Sequence, residues 1–190
     1  MTHSSATDLL VLHAVRLKGF ADTAALAARF DLDPDQTGED LLDAQAYGWV
    51  GKSSFAGLTG WSLTDRGRTR NEAQLRAELD QTAARKAVAT VHDQFLPLNG
   101  QALAAFTAWQ LDQPSAAVGW WGSLAEELRG IEHDLVAQLA RFGGYHTRFA
   151  AAAARAAGDP SWITGVEVDS CHRVWFELHE DLIATLGITR

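Results

Sequence analysis

The fold is decided by the segment that ends in WSLTDRGR at residues 61–68. Earlier in this segment, apolar residues at helical spacing predict a first helix over residues 8–18. Asp22 is a good N-cap for a second helix, and Asp33 is a good N-cap for a third. Pro34 follows and suits a first helical position, because the N–H that proline lacks would have no partner there. The segment therefore predicts three short helices.

A β-hairpin is predicted directly after the third helix. Its strands are expected over residues 49–52 and 60–64. Thr64 is expected to cap the helix that follows, and Gly67 would let that helix pass close to the hairpin, since glycine carries no Cβ. Three helices followed by a hairpin are the order of a winged helix-turn-helix, which we expect over about residues 1–70.

The end of the hairpin carries a family resemblance. Leu63-Thr64-Asp65-Arg66-Gly67-Arg68 resembles the Leu-Thr-x-x-Gly-Arg ending of the wing in MarR-like winged-helix regulators. The resemblance implies a DNA-binding transcriptional regulator. The segment differs from that family in two ways. Residues 53–58 replace the family's Asp-x-Arg in the wing, and the long dimerisation helix that precedes the family's winged helix is missing.

Composition and charge limit what the chain can be. With 190 residues, of which 47% are hydrophobic, it can bury one large core or two modest ones. No apolar run approaches the ~20 residues of a membrane span, and residues 1–5 do not resemble a secretory signal. Cys171 is the only cysteine, which excludes an intramolecular disulfide and is typical of the reducing cytoplasm. We therefore expect a cytoplasmic protein without a membrane segment.

The charge of the predicted winged helix argues against DNA binding. The whole chain carries a net charge of −8, and residues 1–80 contain eight Lys/Arg and twelve Asp/Glu. DNA-binding domains usually present a basic surface. In the third helix the inward face is expected to hold Pro34, Thr37, Gly38, Leu41, Ala44 and Gln45. The outward face then has no Lys or Arg and consists of Asp35, Gln36, Glu39, Asp40, Asp43 and Tyr47.

Two functions remain open for this domain. In the first, it binds duplex DNA through basic residues outside the third helix. Without DNA binding, these basic residues are simply solvated surface cations. In the second, it is a protein-interaction or regulatory module that uses the acidic face and does not bind DNA. The candidate phosphate-binding residues are Arg16, Lys18, Arg29, Lys52, Arg66 and Arg68.

The rest of the chain is predicted to be helical. Between Gly67 and Pro97 the sequence contains no glycine or proline. We therefore expect one long helix over residues 65–95, with residues 71–95 acting as a connector. Residues 96–190 are expected to form an all-α domain. Within it, Asn99 would cap one helix, and apolar residues from Leu124 to Phe142 would form another. The predicted fold class is mainly α with a small β-hairpin.

This second half also resembles a known group. Residues 95–99 (FLPLN), 109–111 (WQL) and 169–182 (DSCHRVWFELHEDL) resemble an actinobacterial group of small winged-helix proteins that are usually labelled transcriptional regulators. Similar segments occur attached to enzymes that use phosphoenolpyruvate. The resemblance spans nearly the whole chain and implies the two-domain architecture.

The last helix holds the candidate ligand site. His172 and His179 fall within its apolar arc, where unpartnered imidazoles would be costly. They could line a pocket for an acidic or aromatic effector, or they could be core histidines satisfied by backbone carbonyls or by Asp169 and Glu132. The opposite face, with Arg173, Glu177, Glu180, Asp181 and Ala184, is expected in solvent. The residues that would form the effector pocket are His172, His179, Trp175, Phe176, Trp109 and Tyr145.

Catalytic and metal-binding motifs are not found in the sequence. His172 and His179 are two helical turns apart, about 10 Å along the axis, which is too far for one ion. Cys171 lies on the apolar arc and is expected to be an inert packing thiol. We therefore expect a non-catalytic regulator without cofactor or metal. Its expected partners are duplex DNA, a small-molecule effector, a protein partner or a second copy in a homodimer.

Overall fold

The computed structural model describes residues 2–55, 57–111 and 118–188. The fold is mainly helical with one two-stranded antiparallel hairpin, which confirms the predicted fold class at that level. The chain divides into two compact units. The N-terminal unit contains Ser4–Ala83 and the chain from Ile183 onward, and the C-terminal unit contains Ala84–Leu182 and the chain up to His3.

The first three helices of the N-terminal unit lie where the sequence predicts them. They are α1 (Thr7–Lys18), α2 (Thr23–Arg29) and α3 (Pro34–Ala46). The N-caps are confirmed, because the carboxylates of Asp22 and Asp33 each accept a backbone hydrogen bond of 2.8 Å in the first turn of α2 and α3.

The hairpin is present but longer than predicted. Strand β1 covers Val50–Phe55 and β2 covers Leu58–Leu63, with Val50 opposite Leu63 and Phe55 opposite Leu58. Residues 53–55 and 58–59, which lie between the predicted strands, continue the ladder. Ser54 and Thr59 face each other there and share a hydroxyl–hydroxyl hydrogen bond of 2.7 Å.

One buried apolar cluster of this unit joins α1, α2, α3 and the hairpin, and a separate one contains Leu9, Leu75 and Ala184. The inward face of α3 was predicted correctly at three positions, since Thr37, Leu41 and Ala44 are buried. Pro34 and Gln45 were expected on the same face but are exposed. Pro34 begins the helix, where the α3 backbone has not yet reached the core. The buried core cluster consists of Val11, Leu12, Ala14, Val15, Leu26, Leu41, Ala44, Val50 and Trp61.

A tight junction connects the hairpin to α4 (Asp65–Thr82). The hydroxyl of Thr64 accepts a hydrogen bond from the N–H of Gly67 at 3.0 Å and donates to the carbonyl of Gly48 at 2.7 Å. A Cβ at Gly67 would lie 1.9 Å from the carbonyl oxygen of Trp49. Both expectations are therefore confirmed: Thr64 caps the helix, and Gly67 permits a close approach.

The single long helix predicted over residues 65–95 is wrong. Helix α4 ends at Thr82, and Ala83 adopts a left-handed conformation with φ of 53°. The next helix, α5, covers Arg85–Gln110 and passes through Pro97. A left-handed alanine carries no sequence signal, because glycine or asparagine is the usual residue there.

Asn99 does not cap a helix. It lies inside α5, is buried, and accepts a 2.9 Å hydrogen bond from the indole N–H of Trp175. The prediction failed because local rules place asparagine at a helix end, whereas here a tertiary hydrogen bond accounts for an asparagine inside a helix.

The remaining helices belong to the C-terminal unit, apart from the end of the last one. They are α6 (Val118–Val136), α7 (Tyr145–Arg155), α8 (Ser161–Thr164) and α9 (Cys171–Leu186). Helix α6 has the predicted buried stripe but stops before Phe142, because Leu139 is extended and a short 3₁₀ turn, Ala140–Phe142, follows. The sequence Asp112-Gln113-Pro114-Ser115 predicts a break between helices, and this prediction lies outside the described residues.

No helix in the described ranges combines the length and the hydropathy that a bilayer-spanning segment needs.

Replacing Gly67 with alanine tests the junction. Since the added Cβ would overlap the Trp49 carbonyl, Gly67→Ala should lower the free energy of unfolding by about 1–3 kcal/mol or more. Gly38→Ala in α3 is the matched control, because its Cβ would meet only Thr23 at 3.8 Å. The control should be neutral or stabilising by about 0.5–1 kcal/mol. Urea unfolding followed by circular dichroism measures both, and equal effects would contradict the close approach.

Candidate acidic groove and predicted site residues

A groove with a volume of about 320 Å³ opens on the N-terminal unit. It lies between α1, α3 and the residues that lead into the hairpin. Its size is near the lower end of ligand pockets, about 300–1,000 Å³, and suits a side chain or a small molecule better than a large cofactor. We call it the acidic groove. It is lined by Thr7, Asp8, Val11, Leu12, Asp40, Asp43, Ala44, Tyr47 and Trp49.

The lining of the acidic groove combines apolar surface with negative charge. Val11, Leu12 and Ala44 are buried and supply the apolar part, whereas Asp8 and Asp43 are exposed. No lysine, arginine or histidine is among the lining residues. This composition favours a ligand with an apolar stem and a cationic end.

The three carboxylates differ in how strongly the protein already engages them. Asp8 accepts a hydrogen bond from Gln74 at 2.9 Å, and Asp40 accepts one from Gln36 at 3.0 Å. The Asp43 carboxylate has no hydrogen-bond or ion-pair partner within the described part of the chain. Asp43 is therefore the carboxylate that is most available to a cation.

Two aromatic rings stand beside these carboxylates. Tyr47 and Trp49 stack with ring centroids 4.7 Å apart. The guanidinium of Arg70 lies over the Trp49 ring at 5.2 Å and is 3.5 Å from the Asp8 carboxylate. The protein thus uses the Trp49 ring and the Asp8 carboxylate together to hold an arginine of its own.

The outward face of α3 continues the negative surface beyond the groove. Asp35 and Glu39 are exposed, and the helix contains no lysine or arginine. Leu42 is 50% exposed and Tyr47 is 61% exposed, so apolar area is interleaved with the carboxylates. The sequence predicted the acidic character of this face but missed its apolar component at Leu42.

Three of the predicted phosphate-binding residues are engaged within the protein. The Arg16 guanidinium is 3.1 Å from the Glu72 carboxylate, and its side chain is only 8% exposed. Arg29 is buried, and its guanidinium lies 4.5 Å from the centroid of the Phe30 ring. Lys18 is half-buried and also has a partner within the protein. These residues do not form an exposed basic stripe.

The other three predicted phosphate-binding residues are exposed. Lys52 lies on β1, with its ammonium 4.9 Å from the Trp61 ring centroid. Arg66 and Arg68 lie in the first turn of α4. If the predicted phosphate-binding residues contact phosphate, the contacts therefore depend on those in the hairpin and at the start of α4.

The two candidate histidines of α9 contact different aromatic rings. His172 is half-buried and meets the Phe106 ring edge-on at 5.0 Å, while His179 is tilted against Phe95 at 5.8 Å. Burial lowers the pKa of His172 below its ordinary value. The carboxylates suggested as their partners also bind elsewhere. Asp169 pairs with Arg148, and Glu132 accepts the backbone N–H of Gly144 at 3.0 Å.

The aromatic residues predicted to wall the effector pocket lie in the C-terminal unit and differ in burial. Trp175 is buried and stacks on Phe95 at 5.0 Å. Tyr145 is fully buried, and Phe176 is 48% exposed. Trp109 meets Trp121 edge-on at 6.1 Å. The effector pocket stays a prediction.

A buried ionic cluster was missed by the sequence analysis. Asp181 is fully buried and accepts hydrogen bonds from Arg141 at 2.6 Å and from Tyr145 at 2.8 Å. Glu177 is also buried and lies 2.7 Å from Arg148. The expectation that Glu177, Asp181 and Ala184 face solvent is wrong. These carboxylates can be buried because each is paired with a guanidinium.

This cluster left a weak signal in the sequence. Glu177 and Asp181 are four residues apart and so share one helix face, but the arginines that pair with them, Arg148 and Arg141, are far away in the sequence. Burial alone would lower the pKa of Arg148, but its hydrogen bonds to Asp169 and Glu177 outweigh burial and raise that pKa. The cluster therefore consists of buried ion pairs that join α9 to Arg141 and Arg148.

The Cys171 thiol is buried, and burial raises its pKa to about 12, which agrees with the predicted packing role. Within the described residues, no three His, Cys, Asp or Glu side chains are grouped as metal ligands.

Comparison of the chain with protein-family models, curated proteins and solved structures found no match.

The lowered pKa of His172 predicts a pH dependence of stability. Below about pH 6.5 the unfolded chain binds a proton at this residue more readily than the folded protein does, so stability should fall as pH falls through that range. Between pH 7.5 and 5.5, His172→Gln should therefore lose less of its free energy of unfolding than the wild type does. Urea unfolding measures this free energy. His133→Gln, at an exposed position, is the control. A wild-type pH dependence in His172→Gln would contradict the assignment.

Proposed function

We propose that the N-terminal unit is a winged helix-turn-helix of the MarR-like type that serves as a protein-interaction module for a basic partner rather than as a DNA reader. The order of α1, α2, α3, β1 and β2 supports the winged-helix assignment, as does the Thr64–Gly67 junction. The choice between DNA and protein rests on the exposed face of α3.

The acidic face of α3 carries the proposal. In a winged helix-turn-helix this helix would enter the DNA major groove. Here it would bring Asp35, Glu39, Asp40 and Asp43 close to phosphates without any lysine or arginine on the same helix. Carboxylates repel the phosphates, and among major-groove base edges they can accept only from the amino groups of cytosine and adenine. The same charges attract a basic protein surface.

The apolar residues on this face suit a protein interface. Leu42 and Tyr47 expose half or more of their surface next to carboxylates. Tyrosine is enriched at protein–protein interfaces, where its ring adds contact area at a small entropy cost. A basic partner could therefore combine ion pairing with burial of these two side chains.

DNA binding is the second candidate, and a specific observation favours it. Lys52, Arg66 and Arg68 are exposed around the hairpin and the first turn of α4. They could hold phosphates while α3 stays outside the groove. In that case the affinity would come mainly from these three cations.

Binding to two fluorescent probes separates the candidates. One probe is a random-sequence duplex DNA of about 20 base pairs, and the other is a lysine-rich peptide, both measured by anisotropy at about 50 mM salt. We expect the peptide to bind and the DNA not to bind. Asp35→Asn/Glu39→Gln should weaken peptide binding about two- to five-fold per charge removed. Glu126→Gln/Glu127→Gln, at exposed positions on α6, is the matched control and should change little.

The opposite pattern would overturn the proposal. In that pattern the protein would bind DNA, and Arg66→Ala/Arg68→Ala would weaken the binding at every sequence. The variant would also reduce the salt dependence of binding by about one phosphate contact for each arginine. Under that pattern, Asp35→Asn/Glu39→Gln would strengthen DNA binding because it removes repulsion.

A further inference from the structure

We propose that the acidic groove receives an arginine side chain of the basic partner. This inference rests on the proposed function and adds the recognition element to it. The occupant is an arginine in a protein segment, and neither a lysine nor a free metabolite fits the observations as well.

The shape of the groove suits a long, flexible side chain. Its volume of about 320 Å³ is small, and Val11, Leu12 and Ala44 offer buried apolar surface. Arginine has a three-carbon stem that packs on apolar surface while its charged end stays near water. The exposed Asp43 carboxylate can meet that end, whereas Asp8 is already engaged by Arg70 and Gln74.

The charge of the groove selects a cation. It has three carboxylates and no basic lining residue. Asp43 is exposed and has no ion-pair or hydrogen-bond partner in the described ranges, so its carboxylate can accept from a guanidinium without breaking an existing contact. Asp40 is held by Gln36, which fixes its carboxylate beside the groove.

The aromatic pair favours arginine over lysine. A guanidinium is planar, stacks on aromatic rings and binds carboxylates through two N–H groups, whereas an ammonium is compact and strongly hydrated. Arg70 already combines both contacts at this place, with the Trp49 ring at 5.2 Å and the Asp8 carboxylate at 3.5 Å. The Tyr47 ring, stacked on Trp49, extends the aromatic surface within the groove lining.

Peptides that differ only in their basic residue test this inference. Three labelled peptides would alternate serine with arginine, with lysine or with citrulline, the neutral isostere of arginine. The full chain should bind the arginine peptide about three- to ten-fold more tightly than the lysine peptide of equal charge. The citrulline peptide should bind weakest, because it keeps the shape of arginine but loses the charge.

Asp43→Asn identifies the groove as the source of this preference. Since Asp43 is exposed and holds no other group in the described structure, the variant should fold normally, which circular dichroism can check. It should bind the arginine peptide about three- to ten-fold more weakly and should lose most of the preference for arginine over lysine. Asp35→Asn, on the same helix but outside the groove, should weaken both peptides equally and keep the preference.

Each alternative outcome has a distinct meaning. Equal affinity for the arginine and lysine peptides, or a preference that survives in Asp43→Asn, would overturn the inference and leave the proposed function intact. Failure of both peptides to bind, with DNA binding present, would overturn both. A concentration-dependent dimer that Asp43→Asn dissociates would mean that a second copy fills the groove, and would also overturn the inference.

Discussion

The contact between Gly67 and the carbonyl of Trp49 is the constraint on which the N-terminal unit depends. The Thr64 hydroxyl joins the start of α4 to the residues that lead into β1, and the missing side chain at Gly67 lets the two backbones meet. This contact sets where Trp49 lies. Arg70, one turn after Gly67, can then reach the Trp49 ring, and the acidic groove gains its aromatic side.

Charge, rather than topology, decides between the two functions. The order of helices and strands would suit a DNA-binding domain, but an exposed basic surface must accompany it. Arg16 is paired with Glu72, and Arg29 is buried against Phe30. The exposed face of α3 keeps its carboxylates and two apolar side chains. The proposed function therefore assigns this face to a basic protein rather than to DNA.

Local sequence rules predicted the parts of the structure that local interactions determine. Asp22, Asp33 and Thr64 are N-caps, and Gly67 marks a close approach, because each acts on backbone a few residues away. Ala83 and Asp181 could not be predicted in this way. The first is a left-handed alanine, and the second is an acid buried by Arg141, forty residues distant in the chain. The acidic groove was also missed, since its lining comes from α1, α3 and Trp49 together.

The most direct test of the account is to map binding on the protein by NMR. The ¹H–¹⁵N spectrum of the full chain would be titrated with the arginine peptide and, separately, with duplex DNA. The account predicts that the peptide shifts amide signals of α3, of Asp8 and of Trp49, while DNA shifts none. Shifts caused by DNA at Lys52, Arg66 and Arg68, with α3 unaffected by the peptide, would contradict it.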